Sequence, residues 1–134
     1  MSGTSFLLDT HIWIWAAMTP QKLGRAVRRE LENPRNDLYL SPISIWELGR
    51  LARRGQFRAK SGLSVWIDQA LTRVPVKDAA LNFAVGTQAA LIQLPESDPG
   101  DVILAATACV YSLTLITNDH QLLACRWLKT LAND

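Results

Sequence analysis

The stretch Ser5-Phe6-Leu7-Leu8-Asp9-Thr10 decides the fold class. Phe6, Leu7 and Leu8 are apolar without alternation, so a strand through them carries apolar side chains on both faces, as in parallel sheets covered by helices on both sides. The run closes on an acid, Asp9, and Thr10 is placed to cap a helical segment over residues 11–17.

The same alternation of short apolar runs and helical segments continues along the chain. Residues 20–32 read as a polar helix with Leu23, Val27 and Leu31 at four-residue spacing, ended by Asn33-Pro34. Residues 37–41 form a second strand, after which Ser41 at N-cap and Pro42 at the first helical position open a helix to about Arg54, stopped by Gly55. Further helices are expected over residues 61–71 and 78–92, with a brief extended connection at 74–76. Asp98-Pro99-Gly100-Asp101 opens an alanine-rich helix to about Val110, and residues 113–117 make a strand rich in β-formers. Asn118-Asp119 caps a short helix through Cys125, and residues 127–131 form a final edge strand. This pattern predicts an α/β fold: a three-layer α/β/α sandwich around a mainly parallel sheet, in which ligands bind beyond the carboxyl ends of the strands.

At 134 residues the chain is expected to be one domain, residues 1–134, burying roughly two-thirds of the surface it would expose unfolded. Cys109 and Cys125 lack the short paired spacing of zinc or thiol-redox sites and are read as packing residues in a reducing compartment. The longest apolar stretch, residues 6–18, is broken by Asp9 and His11 and has no basic residue before it, so neither a signal peptide nor a membrane span is expected, and the protein is placed in the cytoplasm.

The net charge of +2 conceals an asymmetry. Residues 20–60 carry +6, residues 61–134 carry −3 and residues 1–19 carry −1, which suggests one side facing a polyanion and an acidic site elsewhere. The densest basic run is Arg50, Arg53, Arg54, Arg58 and Lys60, with no acid among residues 48–67. These five are candidates for positioning the phosphate backbone of a polyanion without reading its sequence.

Asp9, Asp101 and Asp119 fall at strand ends or helix starts, where parallel strands bring them together, and Glu47 in the second turn of its helix reaches the same end of the sheet. Asp98 is a fifth candidate. Singly, Asp98, Asp101 and Asp119 fit helix capping and dipole roles. Asp9, directly after an apolar strand, needs a partner near the core. Together, carboxylates about 4 Å apart repel by roughly 4 kcal/mol per pair at an effective dielectric near 20, a cost that a cation relieves. An all-oxygen donor set suits Mg²⁺ or Mn²⁺ rather than zinc, and such an ion can acidify an attacking water and stabilise a phosphodiester leaving oxygen.

Four pieces in this order, Leu7-Leu-Asp-Thr-His11, Ser41-Pro-Ile-Ser-Ile-Trp-Glu-Leu48, Leu94-Pro95 with Asp98-Pro-Gly-Asp-Val-Ile-Leu-Ala-Ala106, and Leu115-Ile-Thr-Asn-Asp119, resemble the PIN-domain nucleases, in particular the VapC-like toxins of bacterial toxin–antitoxin pairs. The resemblance implies that Asp9, Glu47, Asp101 and Asp119 form a Mg²⁺ or Mn²⁺ site, with Asp98 and Thr117 beside it. It also implies a metal-dependent endoribonuclease acting on tRNA or rRNA, which makes the backbone facing the five basic residues that of RNA, a small antitoxin whose tail occupies the groove, and a homodimer. Where this branch often reads His-x-Asp-Pro-Phe-Asp-Arg, the chain has Glu96, Gly100 and Val102 at the His, Phe and Arg positions, which removes two phosphate contacts.

Alternatives come from other classes. One is a catalytically weak PIN-like protein that binds RNA or antitoxin without cutting. Another is a receiver-like signalling domain, which the absence of a matching lysine pattern disfavours. His11 and His120 adjoin acidic positions but are left out of the catalytic set, since a metal can activate water without them. Trp13, Trp15, Trp46 and Trp66 are expected mainly in core or interface packing; Trp13 and Trp15 cannot share one helix face, which leaves one for a partner.

Overall fold

The computed structural model describes residues 3–94 and 98–134. Its strands are β1 (Ser5–Leu8), β2 (Asp37–Leu40), β3 (Lys77–Asp78), β4 (Thr114–Thr117) and β5 (Thr130–Ala132). They form one sheet in the order β3-β2-β1-β4-β5, parallel throughout. The helices are α1 (Thr10–Met18), α2 (Arg25–Glu32), α3 (Pro42–Arg53), α4 (Leu63–Arg73), α5 (Phe83–Leu91), α6 (Pro99–Tyr111) and α7 (His120–Leu123).

The unbroken apolar run of β1 is explained by what covers it. Phe6 and Leu8 enter one core with Ile12, Trp13, Val27, Leu40, Leu48 and Trp66, drawn from α1, α2, β2, α3 and α4. Leu7 points the other way, into a second core with Leu104, Ala105, Ala108, Leu115 and Leu122. Leu7, Leu8, Leu115 and Ile116 are fully buried, each contributing about 1.5–3 kcal/mol. The alanines of α6 let that helix lie close to the sheet, so the three expected layers are present.

The chain passes from β1 outward through β2 to β3, then crosses back to place β4 on the other side of β1. The winding direction therefore reverses between β1 and β4, and the crevice beyond their carboxyl ends is where such sheets bind ligands. The backbone holds the β1 and β4 tips together, Asp9 N donating to Ile116 O at 3.0 Å, and beyond β5 Asn133 N donates to Thr117 O of β4 at 3.3 Å.

Several elements depart from their sequence expectation. The helix expected over 20–32 divides into a 3-10 turn, Pro20–Lys22, and α2. Leu23 and Gly24 between them are extended, because Leu23 drops into the core and Gly24 N donates to Asn133 Oδ1 at 2.6 Å. Any side chain at Gly24 would collide with the Asp134 carbonyl.

The helix expected from residue 78 begins instead at Phe83, capped by Asn82, whose Oδ1 accepts from Val85 N at 3.1 Å. Lys77 and Asp78 are drawn into the sheet as β3 beside Tyr39 and Leu40, and a Lys77–Asp37 ion pair at 3.1 Å fastens that edge. The last strand lies at 130–132 rather than 127–131, since Leu128 N turns back to Cys125 O at 3.2 Å. The cap of α1 is Asp9, not Thr10, which is the first helical residue.

Of the tryptophans, Trp13 and Trp66 are core residues in an edge-to-face pair at 5.4 Å, Trp15 is half-buried and Trp46 is exposed. Cys109 and Cys125 are free thiols, both half-buried. Among the described residues no helix is long and apolar enough to cross a membrane.

Candidate active site

A cleft of about 380 Å³ opens at the β1/β4 crevice, and Asp9, Glu47, Asp101 and Asp119 all line it. Each arrives by a different local route. Asp9 follows β1 and caps α1; Asp119 follows β4 and caps α7, its Oδ1 accepting from Leu122 N at 3.0 Å. Glu47 is one turn and a half into α3, whose start is set by Ser41 and Pro42. Asp101 lies in the first turn of α6, which Asp98 caps by accepting from Gly100 N at 2.9 Å.

Hydroxyls join these carboxylates into one network. Asp9 Oδ1 accepts from Thr10 N at 2.7 Å, and Asp9 Oδ2 from the Thr117 hydroxyl at 2.6 Å. Thr117 Oγ1 in turn accepts from Asp119 N at 3.1 Å. On the other side, the Thr10 hydroxyl donates to Glu47 Oε1 at 2.6 Å and lies 2.9 Å from Ser44 Oγ. The network thus runs from β4 through Asp9 to α3, and Thr10, Thr117 and Ser44 are all buried.

Burial is the main reason the Asp9 carboxyl is raised above its ordinary range, against the lowering effect of its hydrogen bonds. Burial likewise raises Glu47, with Asp9 and Asp98 adding to it. Asp101 is pushed up to about 7, first by burial and then by Asp119, Asp9, Asp98 and Glu47. The sequence expectation that these acids converge is met in that electrostatic sense.

They do not form a ready cage. Among the described residues no three Asp, Glu, His or Cys side chains stand together closely enough to hold a metal ion as they are. Both oxygens of Asp9 and one of Glu47 are already turned to hydroxyl or amide donors. The donor set is nonetheless all oxygen, and Mg²⁺ commonly needs only one or two carboxylates with waters completing its shell, so the residues present fit a hard divalent ion.

Asp98 does not line the cleft, although its charge is felt at Glu47 and Asp101. Of the basic candidates, Arg50 and Arg54 line it; Arg53, Arg58 and Lys60 do not. His11 lines the cleft and His120 does not. Glu96 falls outside the described residues. Three features escaped the sequence reading. Thr10 and Ser44 look like ordinary helix-start residues until the fold sets them side by side, and Gly100 packs against the Glu47 carboxylate, where a Cβ would collide with Oε2. The third is the stacking of the Arg50 guanidinium over the Trp46 ring, 5.0 Å from its centre.

The chain matches the PIN domain model over residues 6–127 and belongs to the PIN-domain family. It is similar to ribonuclease VapC22 of Mycobacterium tuberculosis, with 29% identity over 122 residues covering 89% of this chain and 90% of that one. Among solved structures it resembles VapBC2 from Rickettsia felis bound to a promoter DNA fragment, at a TM-score of 0.73 and 18% identity, covering 98% of this chain and 100% of the other. It also resembles a toxin–antitoxin complex from Klebsiella pneumoniae, at a TM-score of 0.64 and 21% identity, covering 96% and 98% of the two chains.

Proposed function

We propose that this protein is a Mg²⁺- or Mn²⁺-dependent endoribonuclease and the toxin of a toxin–antitoxin pair. The observation that carries the reading is the convergence of Asp9, Glu47, Asp101 and Asp119 on one cleft, where burial first and then the neighbouring acids push the Asp101 carboxyl up to about 7. Likeness to a protein named a ribonuclease supports the reaction class. The fold shared with solved toxin–antitoxin complexes supports a small antitoxin partner. The substrate is RNA of the translation machinery, tRNA or rRNA, and the working form is a cytoplasmic homodimer.

When bound, the divalent ion supplies acidification of a water and neutralisation of charge on the phosphate oxygens. Asp9, Glu47, Asp101 and Asp119 are the residues that would hold it, with Asp98 behind them. The protein's own part is orientation. Thr117 fixes Asp9 from β4, and Thr10 fixes Glu47 from α1, so neither carboxylate has to be ordered at the moment of reaction. Arg50 and Arg54 place cationic donors on the same cleft for the RNA backbone.

The test is cleavage of RNA by antitoxin-free protein in Mg²⁺, Mn²⁺ and EDTA, with purified Asp101→Asn protein as the contamination control. Metal-dependent cleavage by wild type alone is expected. Cleavage undiminished in a folded Asp9→Asn, Asp101→Asn double variant would sink the reading. A protein that binds RNA or antitoxin without cutting is the second reading, favoured by Glu96 and Val102 standing where the related toxins often have a His and an Arg. Metal-independent RNA binding with no products would select it.

A further inference from the structure

Arg50 presents a puzzle of charge. It lines the cleft with four carboxylates, yet among the described residues it forms no ion pair, the one pair within 4.0 Å being Lys77–Asp37. Its guanidinium is instead held over the ring of Trp46, one helical turn earlier on α3, at 5.0 Å from the ring centre. Trp46 is 52% exposed and belongs to neither core.

A tryptophan left in solvent loses the burial that normally justifies it, so its contact with Arg50 calls for a reason. Stacking on an aromatic face holds an arginine by its π-surface and leaves the in-plane fork of N–H donors free. A carboxylate partner would do the opposite, consuming those donors and cancelling the charge. Free, fixed guanidinium donors beside a carboxylate site match a phosphate group, which takes two parallel N–H bonds.

Resting on the ribonuclease reading, we infer that Trp46 is a positioning residue that holds Arg50 as one phosphate contact, beside Arg54, for RNA entering the cleft. Arg50 touches the backbone; Trp46 acts through it and does not itself bind a base. Arg53, Arg58 and Lys60, outside the cleft, contribute general attraction only.

The test is a double-mutant cycle in folded Asp101→Asn protein with Mg²⁺, reading anisotropy of a short labelled single-stranded oligoribonucleotide. Arg50→Ala is expected to weaken binding about tenfold or more and to lower the salt slope by roughly 0.7, the value for one phosphate contact on a single strand. Trp46→Ala is expected to weaken it about 2- to 5-fold, Trp46→Phe to recover most of that, and Trp46→Ala to have no effect once Arg50 is alanine. Equal loss from Trp46→Ala with and without Arg50 would mean direct base stacking and overturn the proposal. So would binding that Trp46→Ala leaves unchanged. If the parent protein binds no RNA at all, the ribonuclease reading falls and the clamp with it, whereas RNA binding with additive effects removes the clamp alone.

Discussion

The Glu47 carboxylate occupies the space that a side chain on residue 100 would need: a Cβ on Gly100 would collide with Glu47 Oε2 and lie 2.9 Å from its carboxyl carbon. That packing helps keep Oε1 within 2.6 Å of the Thr10 hydroxyl. Gly100→Ala is therefore expected to drive Glu47 off Thr10 and to cost about 1 kcal/mol of stability in urea unfolding. In a Glu47→Ala background the same change should be neutral or stabilising, because alanine is favoured over glycine in a helix by up to about 1 kcal/mol. Equal effects in both backgrounds would show that the contact carries no energy.

Stability should fall as pH rises in EDTA. The folded Asp101 carboxyl, at about 7, lies above its ordinary 3.8, and Asp9 and Glu47 are raised as well. Between those two values the native state binds more protons than the unfolded chain, so stability is highest below the unfolded value and is lost as pH climbs through the folded one. Thermal unfolding is expected at a lower temperature at pH 8 than at pH 5, and Asp101→Asn should flatten the difference. A rise in melting temperature over that interval would contradict the placement of these acids.

Divalent metal should reverse that trend. Ligands must be deprotonated to bind, so Mg²⁺ or Mn²⁺ should raise the melting temperature more at pH 8 than at pH 6. At a hundredfold excess over the dissociation constant the stabilisation is about 2.7 kcal/mol. Asp101→Asn should lose most of it, measured by calorimetry with and without metal. Full metal stabilisation in that variant would remove Asp101 from the ligand set.

Thr117→Val tests the joint between β1 and β4. The substitution keeps the shape but leaves Asp9 Oδ2 without its donor at 2.6 Å and Asp119 N without its acceptor at 3.1 Å. A loss of about 1–3 kcal/mol is expected, with metal affinity falling alongside, while Thr117→Ser retains both. If valine and serine behave alike, the hydroxyl is not what holds Asp9.

Much of this architecture was legible locally. The double-faced apolar run of β1, the Ser41-Pro42 helix start and the Asp98-Pro99 cap each follow from a few neighbouring residues, and all appear where expected. The acids at strand ends were legible for the same reason, since a parallel sheet carries its strand tips to one edge. β3 was not: Lys77 and Asp78 have no apolar pattern, and become a strand because Tyr39 and Leu40 offer an open edge. The break at Leu23 and Gly24 depends on Asn133, more than a hundred positions away.

The order of residues along the chain was enough to place four carboxylates at one end of a parallel sheet, because period and punctuation are local properties of the backbone. It did not reveal that Thr117 holds Asp9, that Gly100 makes room for Glu47, or that Arg50 lies over Trp46. The first two are contacts between distant positions. The third is a choice of partner, since Trp46 and Arg50 are four apart on α3 and within reach by helix geometry, but only the packed fold decides that Arg50 takes the ring rather than a carboxylate of the cleft. The lift of Asp101 to about 7 has the same origin, since desolvation and the field of neighbouring acids exist only once the packed chain has excluded water and set those charges side by side.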